Sequence, residues 1–224
     1  GVPPMAEPEA QSIYPEAATH AEAEKLLAIA TAASPAAIDL LANGMSADDP
    51  KLRHLITAPT VVVVGQPNVG KSSLLNALVG PSAAIVSDLR GTTRDWVGST
   101  VELTLSGADP LTRGVAVHWL DTPGLRDTDD PVEAAAIDTA RGVIQAAGVL
   151  IALRDPRQGY AELRGITREP DLFVVNKVDE AHGLKDSAAG IQDDPLPISA
   201  LNQRGLDTLS DLILRQLGLT DLLG

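Results

Sequence analysis

Val61-Val62-Val63-Val64-Gly65-Gln66-Pro67-Asn68-Val69-Gly70-Lys71-Ser72 is the stretch that decides how this chain folds. Four consecutive β-branched residues with no polar alternation read as a strand buried on both faces of a parallel sheet. The glycine-framed loop that follows fits G-x-x-x-x-G-K-[ST], and an apolar helix is predicted directly behind it, over Ser72–Val79. Gly65 and Gly70 allow a tight backbone nest whose N–H groups surround phosphate oxygens, and the start of a helix adds positive potential there. Lys71 is placed to reach the β- and γ-phosphates, the Ser72 hydroxyl to ligate Mg²⁺, and Asn68, Val69, Gly70 and Ser73 to line the nucleotide. A bare glycine turn with an exposed lysine is the bland alternative, and it explains neither the strand before nor the helix after. This loop names a nucleoside triphosphate and leaves the base open.

The rest of the chain suits that beginning. It has 224 residues, 44% of them hydrophobic and 21% charged, which is the composition of a globular protein with a sizeable core. Aromatics are only 2%, so Ala, Val, Leu and Ile must build that core. With no cysteine, disulfides, thiolate metal sites and cysteine nucleophiles are excluded. No apolar run is long enough for a membrane span, and a cytoplasmic location is expected. Thirty acidic against 17 basic residues give a net charge of −13, which disfavours direct nucleic-acid binding.

Residues 1–20 carry four prolines and read as a flexible lead. A helical segment over 21–57 follows, with Ala23, Leu26, Leu27 and Ala30 at helical spacing. In its second helix Ser34 is the N-cap, Pro35 the first position, and Asn43-Gly44 the stop. It reads as the edge of a helical module. The main domain then covers 58–220. Strands are predicted at about 96–105, 115–120, 149–153, 172–175 and 196–199, with helices at about 131–147 and 206–217. That alternation argues a doubly wound α/β sheet of about six mostly parallel strands, with the two middle ones paired as an antiparallel hairpin.

Three more motifs sit at predicted strand ends. Asn176-Lys177-Val178-Asp179 follows the 172–175 strand, at the edge where open α/β sheets bind ligands. Asp179 can accept from guanine N1–H and its exocyclic amine; adenine has no such donor pair, and an unpaired carboxylate would penalise it. Ser199-Ala200 follows the next strand, where a backbone N–H can meet guanine O6. Asp121-Thr122-Pro123-Gly124 ends another strand, with Asp121 placed to hold Mg²⁺ through water and the Gly124 N–H placed near the γ-phosphate. Asp-Pro-Gly turns are also common without any such role. The histidines at 20, 54, 118 and 182 are scattered and lack ligand spacing.

The runs Gly65–Leu78, Ala84–Asp95 and Asp121–Arg126 together resemble the translation-factor-type P-loop GTPases that include the Era, Der and tRNA-modification (MnmE/TrmE) proteins. The likeness covers about residues 60–218 and is strongest to the tRNA-modification branch. It implies a three-layer GTPase fold, GTP and GDP as ligands, Mg²⁺ held by Ser72, Thr93 and Asp121, and K⁺ held by Asn68 with Ser87, Leu89 and Thr92. Leu125 stands where Ras-like enzymes carry a water-orienting glutamine, and the resemblance assigns that part to Glu133 through a bridging water. Asp130-Pro131-Val132-Glu133 is equally a capping box with proline at the first helical position. The resemblance further implies a homodimer formed through the switch segments and a partner in tRNA modification or on the ribosome. The alternative is a slow Era/Der-type switch acting as a GTP-gated binding module in ribosome assembly. Pro123, where the tRNA-modification branch has alanine, is more Era-like, and with neither that branch's folate-type domain nor its cysteine motif in these residues the sequence reads as an excised G domain or as a shortened paralogue.

Overall fold

A computed structural model describes residues 20–44, 52–79, 97–108, 114–121, 141–161, 163, 166–180 and 189–223. In chain order these form α1 (His20–Thr31), α2 (Pro35–Ala42), α3 (Arg53–Ile56), β1 (Thr60–Gly65), α4 (Lys71–Val79), β2 (Val97–Leu103) and β3 (Val115–Asp121). Residues 141–146 are helical. Then come β4 (Val149–Arg154), β5 (Leu172–Val175), β6 (Leu196–Pro197), α5 (Leu206–Gln216) and α6 (Thr220–Leu223).

The valine run explains the layering. Val61 and Val63 join a core cluster with Leu74 and Leu75 of α4 and Leu209 and Ile213 of α5. Val62 and Val64 face the other way, into a second cluster with Ile144, Leu150 and Ala152. Alternate side chains of a strand point to opposite faces, so β1 is covered by helix on both sides, and the fold has three layers. The strand order is β2-β3-β1-β4-β5-β6. Only β2 runs antiparallel, pairing with β3 from Val97 opposite Asp121 to Leu103 opposite Val115. The expected hairpin and mostly parallel sheet are therefore both present. The carboxyl ends of β1, β3, β4, β5 and β6 share one edge, and β1 sits between β3 and β4, where chain connections leave it in opposite directions. Such a switch point opens a crevice at the end of β1.

The N-terminal helices pack at the opposite edge. Ala36, Ala37, Leu41, Leu52 and Leu55 are fully buried in the same cluster as Val61 and Val63. Ser34 is the N-cap residue of α2, as predicted, but its side chain has another task. It precedes α2 with Pro35 at the first helical position, yet its hydroxyl makes no cap bond. Instead it accepts the Ala116 N–H at 2.8 Å. The β1–β3 register starts at Thr60 opposite His118, so Ala116 has no β1 partner, and a buried amide needs an acceptor. The serine supplies it and is 1% exposed.

Candidate functional site

At the carboxyl end of β1 the backbone turns through Asn68 and Gly70, both at positive φ (65° and 95°). Asparagine and glycine are the residues that tolerate this region. A Cβ on Gly70 would stand 2.4 Å from Asn176 Nδ2, and one on Gly65 would stand 2.5 Å from the Leu153 carbonyl oxygen. Close approach thus fixes both glycines, and at Gly70 the positive φ does so as well. Val69 anchors the loop with a fully buried side chain. Lys71 curls over the loop, its Nζ donating to the carbonyls of Gly65 (3.0 Å) and Gln66 (3.4 Å). Ser72 and Ser73 open α4 and are exposed.

Asp121 ends β3 beside this loop. Its Oδ2 accepts the Ser72 hydroxyl at 3.1 Å, and its Oδ1 lies 3.9 Å from Lys71 Nζ. That Oδ1 is buried without a hydrogen-bond partner. Burial pushes the Asp121 carboxyl above the ordinary aspartate range, against the opposing pull of the Lys71 ammonium and the Ser72 hydroxyl. An orphaned carboxylate oxygen beside the Ser72 hydroxyl is a donor set suited to a hard, oxygen-seeking cation such as Mg²⁺. Among the described residues no three His, Asp or Glu side chains gather around another metal position.

The sign of the Asp121 shift gives a prediction. Above the unfolded pKa and below the raised folded one, the folded chain keeps a proton the unfolded chain has lost. Stability therefore falls as pH rises through that window, and the penalty is complete above it. Asp121→Asn is expected to raise the melting temperature of nucleotide-free protein at neutral pH, to show little gain in acid, and to remove the Mg²⁺ dependence of nucleotide affinity. Thermal unfolding from acid to neutral pH, paired with nucleotide titrations with and without Mg²⁺, measures all three. A lower neutral melting point would place Asp121 in the framework of the fold instead.

The base loop is tied to the phosphate loop. Asn176, 1% exposed, donates from Nδ2 to the Val69 carbonyl (3.1 Å) and accepts at Oδ1 from the Ala200 N–H (3.0 Å). In this arrangement the Ala200 amide, which the sequence offers to guanine O6, is engaged by Asn176. Asp179 is exposed, and one of its carboxylate oxygens accepts the Ser199 hydroxyl. Ser199 in turn accepts the Asn202 N–H at 3.1 Å, within a loop closed by the Ser199–Arg204 bridge. Lys177, at a positive φ of 61°, donates to the Asn68 carbonyl at 2.6 Å.

The structure thus brings together Asn68, Val69, Gly70, Lys71, Ser72, Ser73, Asp121, Asn176, Lys177, Asp179, Ser199 and Ala200 along one edge of the sheet. Ser87, Leu89, Thr92, Thr93, Gly124 and Glu133 lie outside the described residues. Two neighbours of the site escaped the sequence reading, Gln66 and Asp155. Gln66 Nε2 donates to the Gly159 carbonyl at 3.2 Å. Asp155, the first residue after β4, is 5% exposed. Its signal was an acidic residue at the end of the apolar run Val149–Leu153, where the other strands also end in polar site residues.

A phosphate loop after the central strand, an aspartate ending its neighbour and an Asn-Lys-x-Asp loop beyond define a P-loop GTPase. Residues 60–179, more than half of the chain, match the family described as 50S ribosome-binding GTPase, and the chain belongs to that family. It is 42% identical over 168 residues to the tRNA modification GTPase MnmE of Chromobacterium violaceum, covering 70% of this chain and 34% of that protein. With MnmE of Bordetella parapertussis it shares 43% over 164 residues, with the same coverages. The chain spans about a third of the length of these relatives. A crystal structure of Era from Aquifex aeolicus bound to GDP·AlF4⁻ aligns with 71% of this chain and 57% of its own, at 28% identity and a TM-score of 0.48. No helix among the described residues is long and apolar enough to cross a membrane.

Proposed function

We propose that this chain is a potassium-stimulated GTPase that pairs through its switch segments and serves tRNA modification. Residues 58–220 are the GTP-binding unit and 21–57 the helical segment docked on it. The observation that carries the reading is the convergence of Lys71, Ser72, Asp121 and Asp179 on one sheet edge, with Asp121 Oδ1 left for a cation. Lys71 binds the β- and γ-phosphate oxygens, and the loop amides from Asn68 to Ser73 cradle the phosphates. Ser72, Asp121 and Thr93 hold Mg²⁺, which when bound neutralises charge on the β- and γ-oxygens. Asn68, Ser87, Leu89 and Thr92 hold K⁺, and Gly124 and Glu133 place the γ-phosphate and the attacking water. The likeness to proteins named tRNA modification GTPase supports the pathway. Leu125 stands where a water-orienting glutamine would be, and the family resemblance gives that part to Glu133.

Asp179 sets the base. Unaltered protein is expected to bind GTP and GDP in strong preference to ATP, and Asp179→Asn to relax that preference by about tenfold or more, the worth of a charged hydrogen-bond acceptor. Competition of ATP against a fluorescent GDP analogue measures it. ATP competing as well as GTP in the unaltered protein would end the guanine assignment.

A further inference from the structure

Asp155 does more than a turn requires. Its Oδ1 accepts the Arg157 N–H at 2.8 Å, which is all that a tight Asp turn needs. Its Oδ2 accepts Gln158 Nε2 at 3.1 Å and lies 4.0 Å from Lys177 Nζ, in a carboxylate only 7% exposed on its side chain. A buried charge is costly unless it is paired and hydrogen-bonded, and Lys177 is the cation in reach. Lys177 is itself constrained. Its backbone is left-handed, uncommon for lysine, and its ammonium also donates to the Asn68 carbonyl at 2.6 Å. The side chain therefore spans from the end of β5 to the phosphate loop, with Asp155 behind it. The turn after β4 also reaches the phosphate loop directly, the Gly159 carbonyl accepting Gln66 Nε2 at 3.2 Å.

We infer that Asp155 is a positioning residue of the nucleotide site: it holds the Lys177 ammonium against the Asn68 carbonyl and so keeps the base loop and the phosphate loop in register. This rests on the guanine-nucleotide reading of the site. It adds a residue from β4 to loops contributed by β1, β5 and β6, and it couples base recognition to the backbone of Asn68. Without the charge, Lys177 keeps a single neutral acceptor, and its hold on the phosphate loop weakens.

The test is a double-mutant cycle on the full chain, read as GDP affinity with a fluorescent GDP analogue and as melting temperature without nucleotide. Asp155→Asn keeps an oxygen for the Arg157 amide and removes the charge; Lys177→Met keeps the stem and removes the ammonium. Each single change is expected to weaken GDP by about tenfold, as the loss of a charge-assisted contact does. The double variant is expected to bind no more weakly than Lys177→Met alone, because residues acting through one another are not additive. If Asp155→Asn does not fold, Asp155→Ser, with a hydroxyl for the same amide, takes its place in the cycle. Losses that multiply in the double variant would overturn the inference, as would a lowered melting point with unchanged GDP affinity. Failure of the guanine reading shows separately, as equal competition by ATP in the unaltered protein.

Discussion

Replacing Lys71 by alanine should cut GTP turnover by about 10²–10³-fold, the usual cost of removing one preorganised group from a developing charge, while leaving the nucleotide-free protein folded. Lys71 opens α4, and among the described residues its ammonium bonds to the Gly65 and Gln66 carbonyls, with Asp121 nearby. None of these contacts belongs to the core clusters built on the β1 valines. As the bond between the γ-phosphorus and the bridging oxygen breaks, its electron pair stays on that oxygen and negative charge builds toward the β-phosphate, so an ammonium held over the loop is worth more in the transition state than in the bound substrate. Ser72→Ala should act differently, weakening nucleotide chiefly when Mg²⁺ is present, because the hydroxyl meets Asp121 and not the loop carbonyls. Ser72 is exposed, so its replacement should move stability by about 0.5 kcal/mol or less. Turnover, Mg²⁺-dependent titrations and melting curves of both variants are the measurements. Tight Mg²⁺–nucleotide binding retained in both would remove the phosphate-loop assignment.

The parts of the site that could be read from sequence are those whose chemistry is local. Gly65–Ser72 carries its strand, turn and helix start within a few residues, and Asn176–Asp179 sits directly behind its strand, so both positions follow from backbone geometry alone. The sheet was legible for a similar reason. A run such as Val61–Val64 must be covered on two faces, and only helices on both sides of a mostly parallel sheet do that. What escaped depends on partners far along the chain. Ser34 looks like a helix cap because Pro35 follows it, but the unpaired Ala116 amide, 82 residues away, claims its hydroxyl. Asp155 looks like a turn residue because Pro156 follows it, while its second oxygen faces Lys177. Ala200 reads as an amide for the base, yet Asn176 engages it across 24 residues. In each case the local signal was right about the backbone and silent about which distant group needed satisfying.

Potassium should accelerate GTP hydrolysis by this chain by about 10³-fold or more over sodium, the scale of a positive charge delivered to a phosphoryl-transfer transition state. The side chain that would ligate it first, Asn68, is exposed on the outer turn of the phosphate loop. Its backbone stands at a φ of 65°, held from behind by Lys177. That geometry has a plain explanation too, since asparagine is a favoured residue for left-handed turns. Two substitutions separate the roles. Asn68→Ala removes the amide but strains the turn, whereas Asn68→Gly removes the amide and suits the turn better than asparagine does. A turn residue is replaced by glycine without loss; a cation ligand is not. We expect both variants to lose potassium stimulation, with Asn68→Gly keeping GDP affinity nearly intact. Under the proposed function the remaining oxygens would come from Ser87, Leu89 and Thr92, and pairing with a second G domain across the nucleotide would complete that shell. Potassium should therefore also promote dimerisation with a transition-state mimic, read by light scattering. Glu133→Ala should lower turnover while leaving that dimer in place, because orienting water and holding the cation are separate tasks. Equal turnover in potassium and sodium, with no mimic-induced dimer, would leave Asn68 a turn residue and make the chain a slow GTP-gated binding module.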